Sequence, residues 1–256
     1  MTLPLRNRRL GLTLSGFALC ALIGSARVDA WPKEAYRNMV YDTMRLMPPR
    51  LARVLLARDD AILAGVSSLE SDTASTLARV GVQGQLSVPL VEDVEMRIER
   101  VVAMIDEHRS FHDVAVELGR LLRIAADVAD PAVIGAGSSE LRRVVPEYYR
   151  FVGMNLTRLP LVHDSGLPST LEGASVTMLL AQVASATTAS VSPLSEAFWQ
   201  DGRVVPASSF DYRSVPYAET SLSYSRGVTA ASYLWLAVWS KANGDFSGYR
   251  FGAKKP

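Results

Sequence analysis

Apolar residues recur along this chain with a period near 3.6, and the pattern predicts a succession of helices rather than a sheet. Tyr36, Val40, Thr43 and Met47 share one face of a helix over 33–47, which Pro48-Pro49 ends. Leu51, Leu55, Ile62 and Val66 keep one register over 50–66, and Val94, Ile98, Val101 and Ile105 do so over 92–107. Ser110-Phe111-His112-Asp113 has the form of a capping box, with Ser110 as the cap and Asp113 reaching back. It opens a helix carrying Val114, Leu118, Leu121, Ala125 and Val128, which Pro131 stops. Further helices are expected near 140–153, 170–187 and 217–242, the last rich in Tyr and Trp and closed by Asn243-Gly244. Strand signals are thin: Val80–Val88 could be extended, but Gly81 and Gly84 weaken it. The Ser- and Pro-containing stretch 188–216 reads as a loop or lid. The fold class expected is all-α, in a single domain over 31–256.

The N-terminus follows a different logic. Arg6, Arg8 and Arg9 precede an apolar run from Leu10 to Gly24, and Val28 and Ala30 sit where signal peptidase requires small residues. A signal peptide over 1–30, cut before Trp31, is therefore expected, and with it export to a periplasm or the cell exterior. An uncleaved N-terminal anchor is the rival, although about fifteen apolar residues fall short of the roughly 20 that span a bilayer. No transmembrane helix is expected once the signal is removed.

Cleavage sharpens the composition. The whole chain has 256 residues, 27 Lys+Arg, 26 Asp+Glu, three His and one Cys. Losing four arginines, Asp29 and Cys20 leaves 23 basic and 25 acidic residues and no cysteine. Disulfides and thiolate metal sites are excluded for the mature chain. A near-neutral charge gives no footprint for nucleic acid, which needs a clustered basic surface.

Two features carry a resemblance: Trp31 directly after the cut, and the run Leu118-Gly119-Arg120-Leu121-Leu122-Arg123-Ile124-Ala125-Ala126-Asp127-Val128-Ala129-Asp130-Pro131. Together they resemble the zinc-dependent phospholipase C and single-strand nuclease superfamily, an all-helical exported phosphodiesterase fold. The resemblance implies that the amine and carbonyl of Trp31 face a zinc. It also implies a central helix bearing His-x-x-x-Asp and a His-x-x-x-Glu downstream.

At those positions this chain departs from the pattern. Met44 stands where a histidine is expected, and Glu70 is a loosely aligned acidic ligand. Asp127 matches, but Arg123 and Val133 replace the two histidines of the central motif. Arg143 and Glu147 have the His-x-x-x-Glu spacing, with arginine in place of histidine. A guanidinium is always protonated and cannot ligate a cation, so a full three-zinc centre is not expected.

Each arginine stands four residues before its carboxylate and can meet it on a helix face, although Pro146 inside the second pair speaks against an unbroken helix there. One reading is a neutralised, vestigial metal or phosphate site; the other is an ordinary surface ion pair at each place. His108 and His112, with Glu107, Asp113 and Glu117 nearby, form a weak alternative metal group. Two function classes follow. One is a degenerate phospholipase-C-like protein, silent or using fewer metals on phosphoesters. The other is a non-catalytic exported module for a phospholipid, phosphoester or envelope partner.

Overall fold

The computed structural model describes residues 30–68, 86–162 and 175–249. Among these, nine helices and one two-stranded hairpin make an all-α architecture. The helices are α1 (Lys33–Arg45), α2 (Pro49–Leu56), α3 (Asp59–Ser68), α4 (Val88–Asp106), α5 (Phe111–Val128), α6 (Pro131–Ile134), α7 (Ser139–Asn155), α8 (Val176–Phe198) and α9 (Val215–Lys241). No described helix is long and apolar enough to cross a membrane.

Helix α5 is the axis of the molecule. Its sequence is apolar on nearly every side from Leu118 to Val128, as expected of a helix enclosed all round. Every residue from Leu121 to Asp130 is buried. Helix α3 crosses it at closest range through two glycines. A Cβ on Gly119 would lie 2.0 Å from the Ile62 carbonyl oxygen, and one on Gly65 would lie 1.9 Å from that of Val116. No side chain fits either place, so the two backbones touch. Helix α9 lies along another side, where Trp235 Nε1 donates to the Leu118 carbonyl at 2.9 Å. The entry to α1 is pinned similarly, by Trp31 Nε1 donating to the Ala126 carbonyl at 2.9 Å.

Several local expectations are corrected. The single helix expected over 50–66 is two, because the chain turns at Ala57-Arg58 and Asp59 opens α3. The Ser110 hydroxyl accepts from the His112 N–H at 3.2 Å, one residue short of a capping box, and Asp113 makes no return bond. Helix α7 runs unbroken through Pro146, an exposed position where losing one N–H costs little packing.

The expected loop over 188–216 begins as helix, since α8 continues to Phe198. Its hydroxyls are internally satisfied: Thr187, Thr188 and Ser195 donate to the carbonyls four residues back. A hairpin then pairs Trp199 with Val204 and Gln200 with Arg203. Asp201 and Gly202 turn it at φ 50° and 75°, the conformation that an Asp-Gly pair favours. The extended piece expected over Val80–Val88 lies mostly outside the described residues, and Val88 opens α4.

Candidate functional site

Of the six residues singled out around the expected metal positions, three converge. Arg123 and Asp127 project from the same face of α5, with exposures of 4% and 2%. Arg123 Nε lies 2.9 Å from both carboxylate oxygens of Asp127. Tyr36, from α1, closes the group: its hydroxyl donates to Asp127 Oδ1 at 2.5 Å, and the Arg123 guanidinium lies 4.3 Å from its ring centroid. One tyrosine thus serves the anion with its hydroxyl and the cation with its ring face. Trp31 sits beside them, its ring against Tyr148 and Tyr224, each with centroids 6.4 Å away.

A second carboxylate belongs to the same buried region. Asp130 is fully buried and caps α6, accepting the Ala132 N–H at 2.9 Å. It also accepts the Tyr149 hydroxyl at 2.9 Å. Sequence reasoning passed over Asp130 and Tyr149. The signal for Asp130 was its place before Pro131, where an acid followed by proline at a helix start reads as an N-cap.

Burial dominates the electrostatics. It pushes the Asp127 carboxyl up from its ordinary range, while the Arg123 guanidinium and the Tyr36 hydroxyl pull it back down. The Asp130 carboxyl is pushed up to about 7, by burial first and by the nearby Asp127 charge, against its hydrogen bonds from Ala132 and Tyr149. Burial, with the Asp127 charge next, raises the Tyr36 hydroxyl well above its usual value, so it remains a donor.

Arg143 and Glu147 are not brought together. Arg143 is exposed and lies over the Trp199 ring at 5.3 Å. Glu147 pairs with Arg150 at 2.8 Å and accepts the Ala207 N–H at 2.8 Å, tying α7 to the turn at Ala207–Ser209. The surface-pair reading thus fails at Arg123–Asp127, which is enclosed, and at Arg143–Glu147, which is not a pair. Glu70 lies outside the described residues.

Val133 is buried in α6 and Met44 in α1, both as apolar core. His108 and His112 are exposed, the first in a turn at φ 54° and the second in the first turn of α5. Their expected neighbour Glu117 is instead buried among arginines, 2.6 Å from Arg120, 3.5 Å from Arg97 and 3.8 Å from Arg100.

Zinc does not fit this chemistry. Both oxygens of Asp127 are engaged by a guanidinium that cannot be deprotonated, and Oδ1 also holds the Tyr36 hydroxyl. Among the described residues, no three His, Cys, Asp or Glu side chains come together as a ligand group. A cleft of about 540 Å³ opens between α4, α8 and α9, walled by Met96, Ile98, Val176, Leu179, Tyr233 and Ala237. None of its walls belongs to α1, α5 or α6, so it stands apart from the Arg123–Asp127 group. Compared with protein-family models, with curated proteins and with solved structures, the chain matches none.

Proposed function

We propose that this is an exported helical protein on a phospholipase-C-like scaffold whose metal centre has become an internal Arg–Asp–Tyr group. It works without hydrolysis, as a binding or structural module of the cell envelope or exterior. The observation that carries this reading is the engagement of Asp127 by Arg123 and Tyr36 at 2.5–2.9 Å. A metal at that carboxylate would have to displace a buried guanidinium, leaving its charge unpaired in the core. The resemblance of Trp31 and of the Leu118–Pro131 run supports the scaffold, and the Arg6–Ala30 segment supports export.

Metal analysis of the purified protein tests it. Substoichiometric zinc is expected, with a melting temperature indifferent to chelator and to added zinc, and no turnover of a chromogenic phosphodiester. Stoichiometric zinc together with turnover would overturn it.

A further inference from the structure

The cleft between α4, α8 and α9 shares no wall with the Arg123–Asp127 group, and its about 540 Å³ falls within the range of small-molecule sites. Its floor is apolar, made by the buried side chains of Ile98, Leu179 and Tyr233. Met96 stands on the α4 wall with 63% of its surface exposed. A methionine there is a flexible apolar surface that can shape itself to a hydrocarbon laid against it.

Charge around the cleft is uneven. Among the described residues that wall it, the charged ones are Glu95, Glu99 and Lys241. Glu95 and Glu99 stand one turn apart on α4, about 6 Å along its axis. Glu99 pairs with the Lys241 ammonium, which reaches it from the end of α9. Glu95 meets no cation among the described residues; its Oε1 accepts the Thr177 hydroxyl at 3.0 Å, a neutral donor. Helix α8 has no cation to offer, since no residue from Val176 to Ser195 carries a charge. The Thr177 bond holds the Glu95 carboxylate against α8, beside the apolar wall of Val176 and Leu179.

We propose that this cleft binds an apolar organic cation, a primary amine on a hydrocarbon body, with the ammonium on Glu95 and the body over Ile98, Leu179 and Met96. Glu99 and Lys241 make the same pairing within the chain: an ammonium carried on an apolar stem. A metal ion does not suit the place, because no three ligand side chains converge among the described residues. An anion would meet two glutamates. The apolar floor supplies most of the affinity, and Glu95 selects the sign of the charge, since an exposed ion pair adds only a few-fold. None of these residues belongs to the Arg123–Asp127 group, so the inference stands or falls apart from the metal question.

The test titrates the purified protein, isotope-labelled at its methionine methyl groups, with three probes of equal chain length: n-octylammonium, n-octanol and n-octanoate. The Met96 resonance, assigned with Met96→Leu, reports occupancy of the cleft by its saturable shift. At low ionic strength octylammonium is expected to bind about threefold or more tighter than octanol, and octanoate weaker than both. Added salt should shrink that order towards equality.

Glu95→Gln keeps an acceptor for the Thr177 hydroxyl but not the charge, and should bring octylammonium and octanol to the same affinity. Glu92→Gln changes the net charge equally on the same helix, at an exposed residue outside the cleft walls, and should leave the preference intact. No saturable shift at Met96 with any probe would overturn the proposal. So would equal affinities for the three probes, or a preference for the ammonium that survives Glu95→Gln.

Discussion

Arg123–Asp127 and Arg143–Glu147 have the same spacing, the same order of charge and a helix each, yet they share nothing else. On α5 the arginine and the acid are enclosed, and the cation also lies on a tyrosine face. On α7 the arginine is exposed over Trp199, and the acid turns to Arg150 and to a backbone N–H. Spacing gives two side chains the opportunity to meet. Whether they do depends on what surrounds the helix. Helix α5 is covered by α3, α4, α9 and α1, so Arg123 and Asp127 are closed in together with the Tyr36 side chain. Helix α7 keeps one side to solvent, where water competes and exposed ion pairs contribute little.

The comparison breaks most sharply at Arg123. Arg123→Met leaves Asp127 buried without a cation and should cost about 3–5 kcal/mol in chemical denaturation. Two glycines extend the contrast to the backbone. Gly119→Ala drives a Cβ to 2.0 Å from the Ile62 carbonyl and should cost at least about 2 kcal/mol as α3 is forced away. Gly153 in α7 has nothing within 4 Å of the same position, so Gly153→Ala should stabilise by about 0.5–1 kcal/mol, as alanine does in helices. The smallest effect belongs to Arg143→Ala. It should lose only an exposed contact with Trp199, at most about 1 kcal/mol by the same measurement.

The helices were legible because their apolar stripes are; Val94, Ile98 and Val101 lie on the buried face of α4 as their spacing requires. The break at Ala57-Arg58 was not, since Leu51 to Val66 keeps one register across it with no proline or glycine at the turn. The tail of α8 was misread because serine and threonine look like loop residues, while here their hydroxyls return to the helix carbonyls.

For the site, the sequence offered the Arg123–Asp127 spacing and the loss of the histidines. It could not show that Tyr36 arrives from 91 residues away, nor that Arg143 prefers an indole. Those are facts of packing between distant segments. Asp130 was hidden in plain view as a helix cap, and the sequence could not show that Tyr149, 19 residues on, also donates to it.

A pair of double-mutant cycles tests the central claim most directly, with Arg123→Met and Asp127→Leu in one and Arg143→Ala and Glu147→Ala in the other. The account predicts that the double variant on α5 recovers much of what Arg123→Met alone loses, a coupling of at least about 2 kcal/mol. On α7 it predicts additivity within about 0.3–0.5 kcal/mol. Additivity at Arg123–Asp127, or equal coupling at the two sites, would contradict the claim that arginine holds this carboxylate in the core.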